Sequence, residues 1–226
     1  MPLKNEIETL NWDSEFFGIR VGKMIAKNNQ IDLSKLSDFD LTYIYSREIL
    51  RNPTLPLYDQ KVTFKKKVST ANELSKKPEV IAYSGVLTNE LKNLAIASGK
   101  YSRFKLDPKL SDYFEKLYIL WITNSLKGNL ADHILVFMKE NKIIGFLSLK
   151  KNKSFYQIGL IATSPKHQGL GIGSALLQKA EEIALLENIH EIKVVTQLEN
   201  EIACNFYKKN SYEIDTLEYI YHYWSE

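Results

Sequence analysis

The sequence predicts a mixed α/β (α+β) chain: a central mixed sheet with flanking helices, preceded by a small N-terminal α/β region. Three observations carry this. Short apolar runs bounded by polar or turn residues recur along the whole length, as strands do. In the second half, stretches with apolar residues at helical spacing alternate with those runs, so strands precede, separate and follow helices. The chain has 226 residues, 44% hydrophobic and 25% charged, the proportions of an ordinary globular protein. That length holds one large domain, or one domain with an appendage, and a core that needs no covalent staples.

The elements follow in order. Residues 7–10 and 19–26 read as strands, with the aromatic stretch Trp12 to Gly18 as a turn between them. Residues 41–45 and 62–68 read as further strands, with Pro53 and Pro56 interrupting the piece between. The polar stretch 69–78, ending in Pro78, reads as a linker. It divides an N-terminal partial domain (1–68) from a larger domain (79–226). In the larger part, 79–82 reads as a strand and 89–97 as a helix capped by Thr88 or Asn89. A longer helix over 111–126 carries Phe114, Leu117, Tyr118, Trp121 and Ile122 at helical spacing. Strands at 134–139, 143–150 and 155–162 follow, the first two joined through Glu140-Asn141. A helix over 172–187, a strand over 192–197, a helix over 201–209 and a strand-rich end over 212–224 complete the chain.

Composition excludes several classes of function. Lys and Arg number 30 against 27 Asp and Glu, a net charge of +3. The densest basic clusters, Lys65 to Lys67 and Lys76-Lys77, lack interleaved aromatics. They read as an edge strand and linker, so no nucleic-acid partner is expected. One cysteine, Cys204, permits neither an intrachain disulfide nor a zinc cage, and no metal site is expected. The opening MPLKNE lacks the apolar core of a signal peptide, and no run approaches the roughly 18 apolar residues of a membrane span. A cytoplasmic protein without membrane partners is the expectation.

The chemistry concentrates between Ile158 and Ser174, which runs strand, glycine-rich turn, helix. Gly169, Gly171 and Gly173 stand at alternate positions. Backbone N–H groups in such a turn, with the positive end of the following helix, form a phosphate site. A dinucleotide fingerprint would need glycine where Ser174 stands, and a P-loop would need Gly-Lys-Ser/Thr, so neither fits. On these residues alone the choice lies between a phosphate cradle and a tight structural turn.

The wider context decides. Gln168-x-x-Gly171-x-Gly173, after Pro165 and before Leu176-Leu177, resembles motif A of the Gcn5-related N-acetyltransferase (GNAT) family. Asn200-x-x-Ala203-x-x-Phe206-Tyr207, running on to Ser211-Tyr212, resembles motif B, with serine at 211 where the family usually has glycine. We read that departure as a changed helix cap, with Asn210 taking the left-handed conformation.

The resemblance implies a GNAT fold and acetyl-CoA as cosubstrate. Ile161, Ala162 and Thr163 would pair with the pantetheine arm. Gln168, Gly169, Leu170, Gly171, Ile172, Gly173 and Ser174 would cradle the pyrophosphate, and Asn200 would bond the pantetheine amide. A backbone N–H near Leu160 and Ile161 would polarise the thioester carbonyl. Tyr207 would be the catalytic acid that protonates the departing thiolate. Cys204 reads as a packing residue.

The base that deprotonates the acceptor is not legible. Of the histidines, His133, His167 and His190 read as surface residues and His222 as a weak candidate. The acceptor rests on a second, sparser resemblance. Trp12-Asp13-Ser14-x-Phe16-Phe17-Gly18, Ser102-Arg103-Phe104, Trp121-Ile122-x-Asn124-Ser125 and Thr196-Gln197 are similar to family members that acetylate TDP-linked 4-amino-4,6-dideoxy sugars for surface polysaccharides. Ser102, Arg103, Phe104, Tyr118 and Trp121 then become acceptor-binding candidates. Arg103 offers a fork for a diphosphate, and the rings offer flat faces for sugar or base. The plainer reading makes Tyr118 and Trp121 core residues and Arg103 an ion pair. A protein amine or a polyamine is the alternative acceptor, and a non-catalytic acyl-CoA-binding module the alternative class. The resemblance also suggests a homodimer.

Overall fold

The computed structural model describes residues 7–26, 31, 33–52, 54–69 and 79–225. Among these, ten strands make one sheet: β1 (Ile7–Thr9), β2 (Val21–Ile25), β3 (Leu41–Ser46), β4 (Leu57–Lys67), β5 (Val80–Ala82), β6 (His133–Lys139), β7 (Lys142–Lys151), β8 (Tyr156–Thr163), β9 (Glu191–Gln197) and β10 (Glu213–Trp224). Their spatial order is β1-β2-β3-β10-β4-β9-β8-β7-β6-β5. The pairs β2–β3 and β8–β9 are parallel and the other pairs antiparallel, so the sheet is mixed as expected. Strand β4 lies between β9 and β10, so strands from both sides of the expected linker share the sheet. Residues 70–78 of that linker lie outside the described residues.

Among the described residues six α-helices flank the sheet: α1 (Asn11–Phe17), α2 (Asn89–Ser98), α3 (Arg103–Leu106), α4 (Phe114–Leu126), α5 (Ile172–Leu186) and α6 (Glu201–Lys209). Helix α5 buries Ile172, Ala175, Leu176, Leu177, Ala180 and Ala184, a stripe at three- and four-residue spacing. That stripe joins Val62, Phe64, Leu147, Leu149, Ile158 and Val194 in one cluster. Leu91, Leu94 and Ala95 of α2 and Ile122 of α4 pack with Val136 and Phe146 in another. Each large side chain so buried contributes about 1.5–3 kcal/mol.

Local details differ from expectation in instructive ways. The aromatic stretch read as a turn is helix α1, stopped by Gly18 in the left-handed conformation (φ 70°). Its period shows in Trp12 and Phe16, four residues apart and stacked at 5.2 Å. Ser14 Oγ ties the helix to its flanks, donating to the Leu10 carbonyl and accepting from the Val21 N–H. The helix expected from 111 begins with a 3-10 turn at Ser111–Tyr113 and becomes α-helical at Phe114. Thr88, not Asn89, caps α2 by accepting from the Leu91 N–H. Glu140 and Asn141 both have positive φ (50° and 59°), as a two-residue hairpin of type I′ requires. Strand β4 begins at Leu57 rather than at Val62, and this brings Asp59 and Lys61 into the sheet.

The motif B departure resolves differently from the reading above. Asn210 has φ −92°, and Ser211 itself takes the left-handed conformation at φ 64°. The backbone keeps the geometry that glycine usually serves, and a serine side chain bears the strain.

Candidate active site

Strands β8 and β9 pair in parallel only from Tyr156↔Ile192 to Ile158↔Val194. Beyond that point they separate, and a cavity of about 230 Å³ opens in the gap. Gly159, Leu160 and Ile161 form one wall and Val194 to Gln197 the other. Asp59 and Lys61 of β4 line it from further across the sheet, with Tyr207, Ala203 and Asn200 on α6. Ser98, Ser102, Arg103, Phe104, Tyr118 and Trp121 complete the lining.

The cavity gathers all five expected acceptor residues, Ser102, Arg103, Phe104, Tyr118 and Trp121, together with Ile161, Asn200 and Tyr207 from the thioester side. Ala162, Thr163 and the loop from Gln168 to Ser174 are not part of its lining. They continue from β8 toward the start of α5. The N–H of Ser164 bonds the Ile144 carbonyl, and that of Leu160 bonds Ser148 Oγ, so both point toward β7. The alternation of an antiparallel ladder then turns the N–H of Ile161 and Thr163 toward the gap.

The loop has the backbone form that an anion cradle needs. Gly169 and Gly171 have φ of 79° and 77°, and Gly171 caps α5 without a side chain. The first-turn N–H groups of this 15-residue helix therefore have no side-chain cap. Gly173 serves packing: a Cβ there would meet the Phe206 ring at 2.9 Å. These features fit the diphosphate of acetyl-CoA.

Asn200 caps α6, its Oδ1 accepting from the Ala203 N–H at 3.2 Å, while Nδ2 reaches Thr196 Oγ1 at 3.4 Å. Tyr207 is buried, its ring 5.5 Å from that of Phe64. Burial raises its pKa well above the ordinary phenol value, so the hydroxyl keeps its proton at neutral pH. Cys204 is buried and its thiol pKa is raised by burial, in keeping with a packing role.

Sequence reasoning missed Asp59. It is 3% exposed and its Oδ1 has no hydrogen-bond partner. Burial raises its pKa to about 6, against the pull of Arg103, Gln197 and Lys61 and with a push from Glu199. Arg103 approaches Asp59 Oδ2 at 3.8 Å and stacks on the rings of Phe104 (4.2 Å) and Tyr43 (4.9 Å). Burial works against the guanidinium charge, and Tyr45, Tyr43, Asp59 and Asp13 sustain it. Lys61 bonds Glu218 at 2.8 Å. Tyr118 and Trp121 pack on each other at 4.8 Å, and Trp121 meets Phe104 edge-on at 5.9 Å. They serve the core and the cavity wall together.

His222 lies outside the cavity lining. It is fully buried, with Nδ1 2.6 Å from Asp107 Oδ2, and Asp107 also accepts from Trp224 Nε1 at 3.0 Å. This cluster pins the end of α3, and so the turn carrying Arg103, to β10.

Comparison with known proteins agrees with this geometry. The sequence profile of the acetyltransferase (GNAT) family matches residues 99–212. The dTDP-fucosamine acetyltransferase of Escherichia coli O6:H1 is 24% identical over 97% of this chain and 98% of its own length. The spermidine N(1)-acetyltransferase of Thermoplasma acidophilum is 26% identical over 52% of this chain and 73% of its own. Among solved structures, a conserved protein of unknown function from Staphylococcus epidermidis superposes with a TM-score of 0.65 at 12% identity, over 92% of this chain and 85% of its own. With the family profile spanning half of the sequence, the chain belongs to the GNAT family of acetyl-CoA-dependent N-acetyltransferases.

Proposed function

We propose that the enzyme transfers acetyl from acetyl-CoA to the amino group of a TDP-linked 4-amino-4,6-dideoxy sugar, by direct attack in a ternary complex, during surface polysaccharide assembly. One observation carries this reading above others. A single cavity joins the thioester side (Ile161, Asn200, Tyr207) to an acceptor side made of Asp59, Arg103, Lys61 and three aromatic rings. The rings suit a sugar or base, and the two cations suit a diphosphate. A polyamine would find one carboxylate in this lining, Asp59, and that one already faces Arg103. The similarity to the Escherichia coli fucosamine enzyme over nearly the whole chain supports the same choice.

Acetyl-CoA supplies an activated thioester. Its diphosphate would rest on the loop from Gln168 to Ser174 and its pantetheine along Ile161 to Thr163 and Asn200. The acceptor attacks as the free amine: its nitrogen lone pair forms a bond to the carbonyl carbon while the Ile161 N–H stabilises the oxyanion. Asp59 takes the proton that the nitrogen sheds as it becomes an amide, and passes it to solvent after the product leaves. As the C–S bond breaks, the electron pair leaves on sulfur, and Tyr207 donates its proton to that thiolate.

A thiol-release assay on TDP-linked 4-amino-4,6-dideoxygalactose, spermidine and peptide amines tests the reading. The nucleotide sugar should give the highest kcat/KM. A higher value on spermidine or a peptide would overturn it.

A further inference from the structure

Opposite the cavity wall, the β7–β8 ladder changes register. Leu147 faces Ile161 and Leu149 faces Ile158, so Ser148 alone spans the two residues Gly159 and Leu160. This is a β-bulge, where one strand carries an extra residue and the ladder loses a bond. The lost bond is replaced by a side chain. Ser148 Oγ accepts from the Leu160 N–H at 2.8 Å and lies 3.5 Å from the Leu160 carbonyl oxygen. Ser148 is 2% exposed, so its hydroxyl is committed to this backbone contact rather than to solvent.

The bulge stands where the chemistry needs it. The parallel pairing of β8 with β9 ends at Ile158, one residue before it, and the cavity begins at Gly159. Holding the Leu160 N–H toward β7 fixes the orientation of the next peptide, whose N–H faces the gap. Gly159 makes room for this: a Cβ there would stand 3.0 Å from Ser148 Oγ.

We infer that Ser148 is a positioning residue for acetyl transfer. Its hydroxyl completes the ladder at the bulge and so aims the Ile161 N–H at the thioester oxygen. Gly159 is its counterpart, the residue whose bare α-carbon lets that hydroxyl reach the backbone. Neither residue need touch the reacting atoms. The inference rests on the proposed oxyanion role of the Ile161 N–H and is independent of which amine is the acceptor.

The test uses the full chain and acetyl-CoA labelled with carbon-13 at the thioester carbonyl. Infrared difference spectra of the bound form report carbonyl polarisation without any acceptor present. In the wild type the carbonyl stretch should lie below that of free acetyl-CoA. Ser148→Ala should return it toward the free value, lower kcat roughly 10- to 100-fold, and leave the acetyl-CoA Kd within about threefold. Gly159→Ala, which keeps the hydroxyl but presses on it, should shift the stretch in the same direction. In the double variant the losses should be less than additive, because the alanine at 159 has no hydroxyl left to displace. A stretch and kcat unchanged in Ser148→Ala, or fully additive losses, would overturn the positioning role alone. A wild-type stretch equal to that of the free thioester would overturn the oxyanion reading beneath it.

Discussion

Replacing Arg103 by methionine probes Asp59 as the base more sharply than replacing Asp59 itself. Burial lifts the Asp59 pKa to about 6 and Arg103 holds it down. A base works ionised, so kcat should fall about tenfold per pH unit below that value and level off above it. The guanidinium lies 3.8 Å from Oδ2. At an effective dielectric of about 20, unit charges at that distance attract by about 4 kcal/mol, equivalent to about three pKa units. Asp13 shares the same cation, so that figure is a ceiling. Arg103→Met should therefore move the acid limb upward by about one to three units and leave half or less of the carboxylate ionised at neutral pH. Arg103→Lys keeps the charge and should keep the limb near its wild-type position. The assay is thiol release at saturating amino sugar across pH 5 to 9, which separates the limb from any loss of acceptor affinity. Asp59→Asn should abolish the limb and lower kcat by about 10²- to 10⁴-fold. An unmoved limb in Arg103→Met, or a surviving one in Asp59→Asn, would refute the assignment.

Three further outcomes are expected. Tyr207→Phe should lower kcat by about 10²-fold or more while the KM for acetyl-CoA changes little; full activity would remove Tyr207 as the acid. Ser211→Gly should relieve the left-handed serine and stabilise the protein by about 1 kcal/mol, read as a higher urea midpoint at unchanged m; a lower midpoint would show that the side chain contributes more than its strain. Burial lowers the folded-state pKa of His222 from 6.5 to about 4. The folded protein thus favours the neutral ring, and its contribution is complete above pH 6.5 and lost as pH falls toward 4. That loss is on the order of 3 kcal/mol. Asp59, whose folded pKa is raised, has the opposite slope. The measurement is therefore a difference: wild type should lose stability relative to His222→Gln between pH 7 and 4.5 by urea unfolding, and parallel curves would contradict the neutral ring.

What the sequence shows of this enzyme depends on how locally each feature is specified. The glycine loop is legible because Gly169, Gly171 and the start of α5 are neighbours in the chain. Asn200 and Tyr207 are legible because one helix sets their spacing. The strands show in their alternation, and α5 in its stripe. Helix α1 did not show, because seven residues crowded with aromatics offer too little period to separate a helix from a turn. Helix α3 is four residues long and held by Asp107 and Phe104 rather than by its own propensity.

Asp59 was hidden for a different reason. A carboxylate in the run Leu57 to Lys61 looks like any solvated strand residue until β4 is seen between β9 and β10. Only that insertion, set by pairing with distant strands, buries it beside Arg103. The same holds for Ser148, whose role exists only through the register shift opposite Gly159. The two sides of the reaction are therefore encoded differently. The thioester side is written in short motifs that fold locally. The proposed acceptor side is assembled from β4, α3 and α4, and its chemistry is a product of topology. Changes in acceptor choice among related chains should then arise through residues such as Asp59 and Arg103, which no local motif constrains, while the loop and α6 stay unchanged.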